Sequence, residues 1–403
     1  MDQARLKYLK EWQQRYVDQR KFSGSSVLIQ RAGHEVLFNA VGLRNVQENL
    51  SFDRDTLVRI YSMSKPVTSV ALMMLVERGL VHLDAPVSDF IPEFSRMTAL
   101  IPGATLIDQT EPSYSPTLHQ LLTHTSGLSY PFNPGVLGEA MAKDDLVFKA
   151  DQGKLVDLAA DAASYPLAFQ PGARWEYSIG IDIIGRVIEV ISGRTLAKFF
   201  DEEIFTPLGM TETGFSVVNG AGNRFASLYT PLEGEAMALT AAQKGSETLR
   251  LIDSYDNSPF LAAEMMSGGG GLTGSIDDYM RFAEMLRCRG KHLDLQILAP
   301  QTVDFMMNNH LAGEIASLGP KSFAEQPMEG MGFGLGGSVV LDPRRTRCAG
   351  SVGDFGWGGM ASTFFWVDQK LDLSVVFFTQ LSPSSSYPAR AELKALVHAA
   401  ILG

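Results

Sequence analysis

Ser62 and Lys65 stand three residues apart in Tyr61-Ser62-Met63-Ser64-Lys65-Pro66, just ahead of an apolar run from Val67 to Val76. The run predicts a buried helix that starts at Ser62 and stops at Gly79. Residues three apart share a helix face about one turn apart, so the hydroxyl and the amine can approach each other. A hydroxyl beside an amine at a helix N-terminus is an activatable nucleophile. The amine takes the proton if desolvation or a like charge lowers its affinity for one. The N–H groups of the first turn can then face a developing oxyanion. The same residues also suit a plain N-cap serine and a solvated lysine. The hydrophobic helix behind them favours chemistry, because a polar pair on a buried helix needs a reason to be there.

Other residues with chemical potential are weaker. Ser351 in Ala349-Gly350-Ser351-Val352-Gly353 lacks the first glycine of a nucleophile elbow and leads into a glycine-rich turn. His119 and His124 are the most suggestive of the seven histidines, and His124 reads as a structural hydrogen-bonding residue. No pair has metal-ligand spacing with an acidic helper, which predicts no metal and no cofactor. Ser267-Gly268-Gly269-Gly270-Gly271 reads either as backbone passing close to a ligand or as a flexible connector.

These residues need elements to hold them. Leu6, Leu9, Trp12, Tyr16 and Val17 recur at helical spacing, which predicts a helix over 2–20. Residues 25–30 and 35–40 flank Gly33 as a hairpin. Helices are expected at 116–127, 153–164, 181–191, 195–205, 275–287 and 388–402. Strands are expected at 336–341, 346–350, 362–367 and 373–378, joined by tight turns and therefore antiparallel. The stretches 130–150 and 216–258 read as loops around a site. The pattern predicts an α+β fold: a mostly antiparallel sheet flanked by helices, made of residues 1–85 and 260–403, with a mainly helical insertion over 86–259. The cleft between the two is the expected place for a small-molecule site.

Composition narrows the function. The 403 residues carry 34 basic and 45 acidic side chains, a net charge of −11, which argues against nucleic acid or an anionic membrane as the main partner. Cys288 and Cys348 are the only cysteines, too few for a disulfide scaffold. No apolar run approaches a membrane span, and the N-terminus lacks the apolar core of a signal peptide, so the expected location is cytoplasmic.

Five stretches together resemble the serine β-lactamase and penicillin-binding protein superfamily, and most closely its class C β-lactamases and family VIII carboxylesterases. They are Ser62-Met63-Ser64-Lys65, Leu121 to Leu128, Tyr177-Ser178, Pro207-Leu208-Gly209-Met210 and Trp357-Gly358-Gly359, in the family's order over nearly the whole chain. The resemblance implies acyl transfer through a covalent serine. Ser62 would attack the carbonyl, Lys65 and Tyr177 would share the base work, and the N–H groups of Ser62 and Met360 would hold the oxyanion. A phenol titrates near ~10, so Tyr177 needs a cation such as Lys65 beside it to act as a base. Otherwise it is a buried tyrosine with a satisfied hydroxyl. Ser178, Ile179, Trp357, Gly358 and Gly359 would line the substrate.

Two departures bear on that substrate. Where the β-lactam-hydrolysing enzymes have Tyr-x-Asn this chain has Ile179, and where they have Lys-Thr-Gly it has Trp357. Losing an amide and a cation removes two polar contacts worth roughly 1–3 kcal/mol each. The expectation is a hydrolase of short-chain neutral esters with no protein partner. A β-lactamase or D-Ala-D-Ala peptidase-like enzyme, an acyltransferase, and a non-catalytic binding module are the alternatives.

Overall fold

The computed structural model describes residues 1–146, 148–231 and 249–402. Its centre is an eight-stranded sheet of β1 (Gly24–Arg31), β2 (His34–Asn45), β3 (Leu50–Ser51), β4 (Met331–Phe333), β5 (Ser338–Val340), β6 (Phe355–Gly358), β7 (Phe364–Asp368) and β8 (Leu373–Thr379). The order across the sheet is β4-β5-β6-β7-β8-β1-β2-β3, and every neighbouring pair is antiparallel. All eight strands come from residues 24–51 and 331–379, so the two ends of the chain meet in one sheet. The fold is α+β, as the sequence pattern predicts.

Both faces of the sheet are covered, which explains why its middle strands read as unbroken apolar runs. Val375 and Phe377 of β8 join one core with Val27 and Ile29. Val376 and Phe378 point the other way and join a larger core with Leu28. Helices α1 (Gln3–Asp18) and α5 (Ala389–Ala399) cover the first face, and Glu392 ties them together by accepting from Trp12 Nε1 at 2.6 Å and Tyr16 Oη at 2.8 Å. Helix α4 (Ile276–Arg287) covers the second face. Helix α2 (Ser64–Glu77) is buried along its whole length from Ser64 to Leu75 and packs on α3 (Gly180–Ser192). An apolar helix of this kind has no solvent face to give it an amphipathic stripe.

The hairpin expected around Gly33 is present, with Ala32 and Gly33 both at positive φ, a turn that matches strand twist. One expectation fails at the other end of the sheet. Thr346 to Gly350 is a series of turns rather than a strand, set by Asp342 accepting from the Arg344, Arg345 and Thr346 backbone amides. The partner of β5 is instead β6, Phe355-Gly356-Trp357-Gly358, whose glycines mask it as a strand. A Cβ at Gly356 would fall 2.3 Å from the Phe365 carbonyl, so glycine is what lets β6 and β7 close up here. The expected helix over 116–127 is only Leu118–Leu122, held by a Thr117–Gln120 capping box, and the chain then loops back through His124 and Gly127. Within the loops expected at 130–150 lies a helix, Val136–Lys143. Residue 147, and residues 232–248 of the stretch expected to loop around a site, lie outside the described residues. No described helix is long and apolar enough to cross a membrane.

The fold contains an acid-sensitive group. His398 on α5 has a buried Nε2 with no hydrogen-bond partner among the described residues. Burial and then the Lys394 charge push the imidazole down to about 4, with Asp368 opposing them. A histidine whose folded pKa is depressed leaves the unfolded chain binding more protons. Its contribution to stability is therefore full above about 6.5 and is lost as the pH falls toward 4. Between pH 7 and pH 4, His398→Phe should lose about 2–4 °C less in melting temperature than the wild type. Parallel melting-versus-pH curves from scanning calorimetry would sink this assignment.

Candidate active site

Ser62 does not begin α2. It sits in a single tight 3₁₀ turn, Tyr61–Met63, directly ahead of the helix. Tyr61 has φ +43°, a left-handed backbone that costs a bulky residue on the order of 1–3 kcal/mol and needs support from outside. Ser64 supplies some of it, donating from Oγ to the Tyr61 carbonyl at 2.6 Å and accepting from Leu272 N at 3.1 Å. Tyr279 adds a 2.8 Å bond to the Met63 carbonyl. The turn thus presents Ser62 to a cavity of about 1310 Å³ whose walls include Tyr130, Tyr177, Ile179, Asp182, Gly269 and Met360.

Lys65 is fully buried. Its Nζ lies 2.7 Å from the Gly269 carbonyl, 3.1 Å from Tyr130 Oη and 3.3 Å from Ser62 Oγ. Three acceptors match the three N–H groups of an ammonium. They equally suit a neutral amine that donates to Gly269 and Tyr130 and turns its lone pair on the Ser62 hydroxyl. A proton can therefore pass between Ser62 and Lys65 with no heavy atom changing partners. The glycine run is no slack connector: Thr68 Oγ1 bonds the Gly268 carbonyl at 2.7 Å, and a Cβ at Gly269 would fall 2.4 Å from Asp182 Oδ2.

Tyr177 meets Lys65 through its ring, with Nζ 4.6 Å from the centroid, a cation–π contact. Its hydroxyl accepts from Trp357 Nε1 at 3.3 Å. The hydroxyl bound directly to Lys65 belongs to Tyr130, which sequence reasoning missed; the nearest signal was its place in the 130–150 stretch. Burial raises the Tyr130 phenol well above its usual range, with Asp182 and Tyr177 adding to the effect. That favours the protonated phenol, a hydrogen-bonding partner for Lys65. Asn133, also missed, holds the Tyr177 carbonyl at 2.7 Å.

Of the residues expected against the substrate, Ile179 is in the described cavity wall, and Ser178, Trp357, Gly358 and Gly359 stand outside it. Trp357 is only 7% exposed, stacks on Phe323 and spends its N–H on Tyr177. Its tie to the site is thus through that phenol, and it is absent from the described wall of the cavity. Ser178 is buried behind the site, its backbone N and Oγ 3.2 and 3.1 Å from His124 Nδ1. That pairing gives His124 the structural bond expected of it. Burial, and then the Lys65 charge, keep the imidazole neutral. Gly358 and Gly359 are packing residues: a Cβ would meet Arg390 at the first, and the Ile60 carbonyl at 2.3 Å at the second. Gly359 spends its N–H on the Thr363 carbonyl at 2.8 Å, so Met360 carries the next amide along. Because Gly359 lies against Ile60, two residues before Ser62, Met360 and Ser62 reach the same cavity. Ser351 lies in the turn before β6 and is absent from that wall.

An antiparallel sheet drawn from both ends of the chain and a Ser-x-x-Lys pair, its lysine buried, meet at this cavity. The beta-lactamase family model matches residues 9–399, and the chain belongs to that family, within the serine β-lactamase and penicillin-binding protein superfamily. Its relatives include Esterase EstB of Burkholderia gladioli, 32% identical over 94% of this chain and 92% of the relative. Another is the lovastatin esterase of Penicillium rubens, 29% identical over 89% of this chain and 88% of the relative. Among solved structures, EstCE1, described as a hydrolase with promiscuous acyltransferase activity, superposes with a TM-score of 0.79 at 27% identity over 100% of this chain and 99% of its own.

Proposed function

We propose that this protein is a carboxylic ester hydrolase that works through an acyl-Ser62 intermediate and prefers short-chain neutral esters. The observation that carries the proposal is the placement of Lys65 Nζ among Ser62 Oγ, Tyr130 Oη and the Gly269 carbonyl. Ser62 Oγ attacks the ester carbonyl and its proton passes to neutral Lys65. The oxyanion is met by the amides of Ser62 and Met360, and collapse expels the alcohol, which takes the proton. Water then attacks the acyl-serine by the reverse proton route and releases the carboxylic acid. Tyr177, hydrogen-bonded by Trp357 and resting on Lys65, assists the proton transfers.

An ester rather than a β-lactam is favoured by the missing polar groups. Ile179 offers the cavity no amide, and the indole N–H of Trp357 is already engaged. The names of the esterase relatives point the same way. A second reading, acyl transfer to an alcohol other than water, is supported by the description of EstCE1 and by a cavity large enough for an acceptor beside the acyl chain.

Initial rates on p-nitrophenyl butyrate and on a chromogenic cephalosporin test the proposal. The ester should be turned over about 100-fold faster or more, the value of two lost polar contacts. A preference for the cephalosporin would overturn it. Added short alcohols that divert the acyl group into new esters would establish the second reading.

A further inference from the structure

Asp182 lies in the first turn of α3, is 4% exposed and belongs to the cavity wall. Its Oδ1 accepts from Ser267 Oγ at 2.5 Å and from the Gly269 amide at 3.0 Å. The carbonyl of that same Gly269 accepts from Lys65 Nζ at 2.7 Å. One residue, Gly269, thus has the carboxylate on its amide N–H and the amine of Lys65 on its carbonyl. The carboxylate lies so close over Gly269 that any Cβ there would collide with it. A buried carboxylate is costly and persists where it has donors or a cation to answer it. Here the donors are a hydroxyl and a backbone amide, and the nearby cation is Lys65.

We propose that Asp182 is a positioning residue: through Ser267 and the backbone of Gly269 it aims Lys65 at Ser62, and by its charge it sets the pH at which Lys65 can accept the Ser62 proton. The proposal rests on the acyl-Ser62 reading above. The other titratable groups facing Lys65 are Tyr130, Tyr177 and His124, and of these Tyr130 and His124 are held neutral by burial. Burial raises the Asp182 carboxyl above its usual range, and the Lys65 charge and the Ser267 and Gly269 donors pull it back, so the two charges favour each other. Removing that charge lets the amine lose its proton at lower pH.

A fluorophosphonate probe tests this without knowledge of the natural ester. Ser62 Oγ bonds to phosphorus, fluoride leaves, and the serine proton goes by way of Lys65 to solvent. Labelling rates are measured by intact mass from pH 5 to 10, beside kcat and KM for p-nitrophenyl butyrate. Asp182→Asn should slow labelling and kcat roughly 10- to 100-fold, with KM little changed. It should also move the acid limb of the rate profile down by about one pH unit. Ser267→Ala keeps the charge but loosens the carboxylate, so it should slow labelling while leaving the limb in place. An Asp182→Asn limb that does not move overturns the electrostatic role. Wild-type rates in Ser267→Ala overturn the positioning role, whether or not Asp182→Asn folds. A wild-type protein that neither labels nor cleaves the ester overturns the acyl-Ser62 reading, and the role of Asp182 with it.

Discussion

Ser62→Ala should lower ester turnover by about 10⁴- to 10⁶-fold, the range seen when a covalent nucleophile is removed. It should do so without loss of stability. The Ser62 side chain caps neither its own 3₁₀ turn nor α2, and its contact with Lys65 is long at 3.3 Å. The folding device at this place is Ser64, whose hydroxyl pins Tyr61 and Leu272. The decisive comparison is kcat on p-nitrophenyl butyrate with the melting temperature, together with intact mass after a slow ester, which should show an acyl adduct in the wild type alone. Turnover that survives in Ser62→Ala would place the nucleophile elsewhere.

Lys65→Met should cost about 10²–10⁴ in kcat, the usual range for a positioned base, and leave KM nearly unchanged. The expectation follows from where the amine sits: among the described residues it is the one group that touches Ser62 Oγ, Tyr130 Oη and the Gly269 carbonyl together. Effects on stability oppose each other. Methionine removes a buried amine, which favours the fold, but strips a donor from two buried oxygens at about 1–3 kcal/mol each. The melting temperature should therefore move by only a few degrees. Retention of more than about a tenth of wild-type kcat would remove Lys65 from the proton path. The pH profile carries a second check, because the acid limb assigned to Lys65 should disappear from the residual activity.

What the sequence determined by itself is local. The spacing of Ser62 and Lys65 brings their side chains together because one helical turn does so wherever it occurs. The same holds for α1 with its apolar stripe, the hairpin at Gly33, the stop of α3 at Gly193 in left-handed backbone, and the antiparallel order of neighbouring late strands. Apolar periodicity and turn chemistry act over a few residues, and they can be read from a few residues.

Tertiary structure decided the rest. Tyr130 reaches Lys65 from 65 residues away, the Gly269 carbonyl from 204, and the Trp357 indole finds Tyr177 across 180. No local pattern marks such partners, because the contact belongs to the packing of α2, α3 and the sheet and to no one of them. Glycine was the hardest residue to read for the same reason. At Gly269, Gly356 and Gly359 it is required by a neighbour's atoms, a carboxylate or a carbonyl within 2.4 Å of where a Cβ would stand. In the sequence alone, the same residue reads as a connector or a break. The strand β6 is hidden in this way, and residues 346–350 read as a strand in its place, because β-branched and apolar content is a weak signal where close approach decides.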